Sequence, residues 1–130
     1  MKYLLDTHIV LWLAENSPRL SDEAKAILLD ESKAKAVSIA SCWEVSIKLS
    51  LGKLDLDGGT REFFHILREN GFKLLQVEEE YLASLETLSF YHRDPFDRLI
   101  IASAISENMT LLTDDFQFLH YVGEGLRIVS

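Results

Sequence analysis

Four acidic residues stand where a parallel α/β chain would gather them. Asp6 ends the apolar run Tyr3-Leu4-Leu5, and Asp115, preceded by Asp114, follows the run Met109 to Thr113. Glu44 and Asp97 fall in the first turns of two expected helices. In a parallel sheet, strand carboxyl ends and the amino ends of the helices that follow them share one edge, so all four can meet there. Four carboxylates held together without a cation repel, and some take up protons. A hard divalent cation removes that conflict. Mg²⁺ or Mn²⁺ accepts one or two carboxylates directly, keeps several waters and leaves positions for phosphate oxygens. The chemistry such a set supports is phosphodiester hydrolysis.

Each residue also has a plainer use. Asp6 can cap the helix that follows it. Glu44 can complete a capping box with Ser41, or pair with Lys48 at i, i+4. Asp94 suits an N-cap, and Asp97 can offset the helix dipole. Asp114 and Asp115 can form a solvated turn. Arg93, Arg98, Lys48 and Lys53 lie near the same edge, where they could contact phosphates or simply balance the acids. His8, His65, His92 and His120 show no metal-ligand spacing and read as surface or capping residues. Cys42, the single cysteine, suits a small buried helix position and excludes an intrachain disulfide.

The elements that would position these residues alternate along the chain. A strand over 2–5 is followed by a helix over 7–16, broken at Ser17-Pro18, and by a second helix over 22–32 capped by Ser21. Residues 36–39 form a second strand. Residues 43–51 alternate apolar and polar as a strand would, but Ser41-x-x-Glu44 and the stripe Trp43, Ile47, Leu51 and Leu54 favour a helix closed by Gly52. Thr60 caps a helix to Asn70, and Gly71 ends it. A third strand spans 72–77, an acid-started helix spans 78–88, and Asp94-Pro95 opens a helix to Glu107. A fourth strand spans 109–113, a short helical piece follows, and 126–129 forms an edge strand. This alternation predicts one domain over 1–130, a three-layer α/β/α sandwich around a mainly parallel sheet of four or five strands.

A chain of 130 residues with 48% hydrophobic and 26% charged residues has the composition of a globular protein with one core. Its formal net charge of −8 counts against gripping long duplex nucleic acid by the backbone. It is compatible with an enzyme that handles a few nucleotides through bound cations, and it makes a basic partner plausible. No bilayer-length apolar run and no signal-peptide pattern is visible, so a cytoplasmic location and no membrane association are expected.

Four motifs occur in order: Leu4-Leu5-Asp6-Thr7-His8; Ser41-Cys-Trp-Glu44-Val-Ser-Ile-Lys48 with Leu51-Gly-Lys-Leu54; His92-Arg-Asp-Pro-Phe-Asp97-Arg98; and Leu112-Thr-Asp-Asp115. Together they resemble PIN-domain proteins of the VapC toxin type, across nearly the whole chain. The resemblance implies a metal-dependent endoribonuclease whose acidic site maps onto Asp6, Glu44, Asp97 and Asp115. The family's Thr-x-Asp spacing selects Asp115 over Asp114. Thr113 would support a water or the metal's surroundings, and Asp94 would cap or support the site. The resemblance further implies a cognate antitoxin as partner, RNA as substrate and a homodimer. Two other readings compete. A phosphatase with Asp6 as nucleophile would need an acid at position 8, where the chain has His8. A non-catalytic interaction module would use the acids only as helix caps.

Overall fold

The computed structural model describes residues 2–130. Its centre is β1 (Lys2–Leu5), flanked by β2 (Ala34–Ser38) and β4 (Thr110–Leu112), with β3 (Lys73–Leu75) and β5 (Arg127–Val129) at the edges. The order is β3-β2-β1-β4-β5 and every pairing is parallel. The apolar run of β1 has the composition of a strand covered on both faces, and Leu4 and Leu5 are completely buried.

Alternation along the strands divides the core in two. Tyr3, Leu5, Val37 and Leu112 project to one face, where α1 (Thr7–Ala14), α2 (Asp22–Leu29), α3 (Ile39–Ser50) and α4 (Gly59–Glu69) supply Ile9, Ile27, Val45 and Phe63. Leu4, Ala36 and Leu111 project to the other, against Leu88 at the C-cap of α5 (Glu79–Thr87) and Ile100, Ile101 and Ala104 of α6 (Pro95–Glu107). Phe118 and Tyr121 from a 3-10 helix (Phe116–Glu124) complete that layer. Each fully buried leucine or isoleucine contributes about 1.5–3 kcal/mol relative to exposure, so slipping β1 by one residue would misplace both layers. The three-layer α/β/α expectation and the parallel sheet are therefore met.

Several local boundaries differ from the expectation. The strand at 36–39 begins at Ala34 and ends at Ser38, which then serves as the N-cap of α3 by accepting from the Ala40 N–H at 3.1 Å. The helix assignment for this stretch holds, but the Ser41–Glu44 capping box does not form. Ser41 lies inside the helix, where its Oγ accepts the Thr7 hydroxyl at 2.8 Å. Glu44 therefore sits in the second turn rather than the first. The stripe of Trp43 and Leu51 faces outward, 64% and 61% exposed, because Ala40, Ser41, Glu44 and Val45 take the inner face. Thr60 is not a cap: α4 starts two residues earlier than a Thr60 cap would place it, at Gly59 after Gly58 in the left-handed region at φ 84°. A Cβ at Gly58 would come within 2.6 Å of Glu62 Cβ.

Candidate metal centre

The sheet ladder runs one residue beyond the central strands. Asp6 N–H donates to Leu112 O at 3.0 Å, and Thr113 N–H donates to Val129 O at 3.0 Å. This places Asp6 and Thr113 side by side at the carboxyl edge. Thr113 Oγ1 donates to Asp6 Oδ2 at 2.8 Å and accepts the Asp115 N–H at 3.0 Å. One hydroxyl thus ties the acid after β1 to the backbone of the acid after β4, a more definite role than support for a water.

Asp6 has the extended backbone of an N-cap residue, yet its side chain makes no cap bond to α1. Its Oδ1 is buried without a hydrogen-bond partner. Burial pushes the Asp6 carboxyl upward, against the opposing pull of the Thr113 hydroxyl and His8. Glu44 reaches the same edge from α3 and is 8% exposed. Its Oε2 lies 3.0 Å from Lys48 Nζ, whereas Oε1 is buried and unpartnered. Lys48 is accordingly the i, i+4 partner of Glu44.

Asp94 and Asp97 divide their tasks. Asp94 Oδ1 accepts from the N–H groups of Phe96 and Asp97 at 2.9 and 3.3 Å, and Pro95 occupies the first helical turn. With the cap supplied by Asp94, the Asp97 carboxylate is left for the site. Burial first, then the charges of Asp6, Asp94, Glu44 and Asp115, push the Asp97 carboxyl up to about 8. Asp97 therefore lies within reach of the charges of the other three candidate acids. Asp115 caps the 3-10 helix through Oδ1, which accepts the Gln117 N–H at 2.9 Å, and turns Oδ2 inward. Asp114 is exposed, so the geometry singles out Asp115 of the adjacent pair.

Sequence spacing missed His92. Its side chain is only 10% exposed, and Nε2 lies 3.2 Å from Asp97 Oδ2 and 3.5 Å from Asp115 Oδ2. The three side chains lie close enough to share one cation. His92 Nδ1 accepts the Asp94 N–H at 3.2 Å, which leaves the neutral ring's proton on Nε2, directed at the two carboxylates. In this arrangement His92 is a donor that draws Asp97 and Asp115 together. Its only sequence signal was membership of the motif that contains Asp97; a five-residue separation across a loop and cap has no helical or strand periodicity.

Arg98 is the clearest correction. It does not face the site as a phosphate contact, nor does it balance the local acids. It is buried, stacks on Phe90 at 3.8 Å and donates to the carbonyls of Leu85, Leu88, Ser89 and His92. It therefore clamps the loop that carries His92. Tyr121 strengthens that clamp, since its hydroxyl donates to Ser89 O and accepts the His92 N–H. Arg93 and Lys53 are exposed.

Buried carboxylate oxygens without donors are costly unless something satisfies them. Asp6 Oδ1 and Glu44 Oε1 are two such atoms, and the burial and acidic neighbours that raise the Asp97 carboxyl would be offset by a nearby positive charge. The atoms offered to a cation at this edge are hard carboxylate oxygens, a set that fits Mg²⁺ or Mn²⁺.

The profile of the PIN domain family matches residues 3–124. A search of curated proteins gave no match. Among solved structures, VapBC2 from Rickettsia felis bound to a promoter DNA fragment is similar at 21% identity and a TM-score of 0.77, covering 99% of this chain and 98% of that one. VapBC-1 from nontypeable Haemophilus influenzae gives 20% identity and 0.74, with 100% and 98% covered. VapBC-5 from Mycobacterium tuberculosis, a member of the VapBC family of toxin–antitoxin systems, gives 19% and 0.68, with 98% and 97% covered. At these identities the likeness to the solved structures concerns the fold.

Proposed function

The chain belongs to the PIN domain family, and from that premise we propose that it is a divalent-cation-dependent endoribonuclease acting as the toxin of a toxin–antitoxin pair. The observation that carries this reading is the pair of unpartnered buried oxygens, Asp6 Oδ1 and Glu44 Oε1, beside a carboxyl that burial, and after it the acidic neighbours, push up to about 8. An acid used as a helix cap accepts from backbone N–H groups, as Asp94 does; Asp6 makes no such bond to α1.

Asp6, Glu44, Asp97 and Asp115 would hold Mg²⁺ or Mn²⁺. Such an ion, when bound, acidifies water and offsets charge on the phosphodiester. The chain's own contribution is orientation. Thr113 fixes the rotamer of Asp6, and Asp94 leaves Asp97 free of capping. His92 Nε2–H draws Asp97 toward Asp115, and Arg98 with Tyr121 holds the loop on which His92 rides. Lys48 limits Glu44 to one open oxygen.

The partner belongs to the same reading. Similar structures are described as VapBC and other toxin–antitoxin complexes, and Phe90, Tyr91, Leu119 and Val122 leave apolar surface that an antitoxin or a second copy in a homodimer would cover. Among the described residues no helix is long and apolar enough to cross a membrane. A phosphatase with Asp6 as nucleophile finds no second acid at the exposed His8.

The test is cleavage of a mixed RNA substrate by the purified protein with Mg²⁺ or Mn²⁺, with chelator, and by Asp97→Asn prepared identically. Cleavage that requires the ion and vanishes in the folded variant is the expected result. Equal cleavage by both proteins, or none by the antitoxin-free protein, would overturn the reading.

A further inference from the structure

The polar side chains of the site fall into two unequal groups. Asp6, Thr113, Asp115, His92, Asp97 and Asp94 are linked in one continuous chain of hydrogen bonds and short charged contacts. Glu44 stands outside it. Its one polar partner, Lys48, lies on the same helix and so cannot fix where that helix sits. Among the described residues, a single hydrogen bond joins a side chain of α3 to another element: Thr7 Oγ1 donates to Ser41 Oγ at 2.8 Å.

Both hydroxyls are buried, Thr7 at 2% exposure and Ser41 at 0%. Thr7 follows Asp6 directly, at the first position of α1, and Ser41 precedes Glu44 by three residues on the inner face of α3. Residues three apart on a helix share a face, so whatever fixes the direction of Ser41 also fixes that of Glu44. The chain itself sets where α3 begins, since Ser38 at the end of β2 caps it. Other contacts of α3 are apolar, such as Val45 in the core and Trp43 edge-to-face on Phe96. Apolar packing is non-directional and tolerates small rotations of a helix. A hydrogen bond weakens steeply outside a narrow range of distance and angle.

Resting on the cation site proposed above, we infer that Thr7 and Ser41 are positioning residues whose hydrogen bond sets the rotation of α3 and so holds the Glu44 carboxylate in register with Asp6. The two acids with unpartnered oxygens are thereby tied together, one residue from the first and one helical turn from the second. A small hard cation demands near-ideal geometry, so its affinity depends on this contact. The plain alternative is that the pair only satisfies two buried hydroxyls. Stability and metal affinity separate the two.

The experiment measures Mn²⁺ affinity by calorimetry, and melting temperature with chelator, on the full chain. Thr7→Val and Ser41→Ala each leave the other hydroxyl without this partner and should lower the melting temperature by roughly 3–8 °C. The double variant removes both groups and should regain most of that loss, since replacing both partners is close to neutral. Mn²⁺ binding should not recover with it. Both single variants and the double should bind about tenfold more weakly than wild type, the scale of losing a group that orients metal ligands. Thr7→Ser keeps the hydroxyl and should bind as wild type does. In a Glu44→Gln background, Thr7→Val should weaken Mn²⁺ binding no further, because the contact acts through Glu44. The inference is overturned if the variants bind Mn²⁺ as wild type does, or if affinity returns in the double variant along with stability. It is equally overturned if Thr7→Val still weakens binding in the Glu44→Gln background. Should a single variant fail to fold, the double variant and Thr7→Ser carry the same comparison. Wild type that binds no Mn²⁺ removes the cation site itself, and this inference with it.

Discussion

Replacing Asp97 with asparagine should make the metal-free protein more stable, the reverse of what loss of a helix-dipole carboxylate would do. Burial and four acidic neighbours raise this carboxyl from an ordinary 3.8 to about 8. A carboxyl raised on folding favours the fold while protonated, so its support is complete below about pH 4 and is lost as pH rises toward 8. At pH 7 the full shift would set a ceiling of roughly 4 kcal/mol. The edge opens to water and screening is substantial, so the expected gain from Asp97→Asn is about 1–2 kcal/mol. For a domain of this size that is a rise of about 3–8 °C in melting temperature. The amide retains the shape and can still accept from His92 Nε2–H. Thermal melts with chelator at pH 5, 7 and 8.5 measure the effect: wild type should lose stability across the series, and the variant's slope should be flatter. Adding Mn²⁺ should raise the wild-type melting temperature and move the variant little. A variant less stable than wild type at pH 7, with an unchanged pH slope, would refute the reasoning and return Asp97 to the role of a dipole-compensating residue.

The same geometry makes other predictions. Mn²⁺ affinity measured by calorimetry should rise with pH up to about 8 and then level, because binding displaces the Asp97 proton. Thr113→Val removes the donor to Asp6 Oδ2 and should cost about 1–3 kcal/mol in urea unfolding, with weaker Mn²⁺ binding. Arg98→Lys cannot reach the carbonyls the guanidinium serves and should cost about 2–4 kcal/mol, a loss of stability seen equally with or without RNA. His92→Phe should weaken Mn²⁺ binding by about tenfold or more, the scale of losing a group that orients metal ligands.

The layered fold was legible because its signals are local and repeated. The doubly buried run Tyr3-Leu4-Leu5 could only be a central strand, and strand–helix alternation then put Asp6, Glu44, Asp97 and Asp115 on one edge. The Asp94-Pro95 cap was equally plain, since that pair fits few other places. What escaped depended on packing between distant segments. Ser41 looks like a cap in sequence, but Ser38 reaches the helix start first, and Ser41 is claimed by Thr7, 34 residues away. Trp43 fits an apolar stripe, yet the inner face of α3 is taken by Ala40, Ser41, Glu44 and Val45. Arg98 in an acidic motif suggests a phosphate ligand; only the folded loop reveals the carbonyls that need it. His92 escaped because its partners come from α6 and from the turn after β4, a juxtaposition no spacing encodes.

The central claim, that these carboxylates form one cation site, is tested most directly by a crystal structure grown with Mn²⁺ and read by anomalous scattering. The account predicts a peak within bonding distance of carboxylate oxygens at the carboxyl edge, with Asp6 Oδ1 or Glu44 Oε1 among the atoms turned toward it or toward its waters. A fully loaded crystal with no peak at that edge, or with Mn²⁺ only at other surface acids, would contradict it.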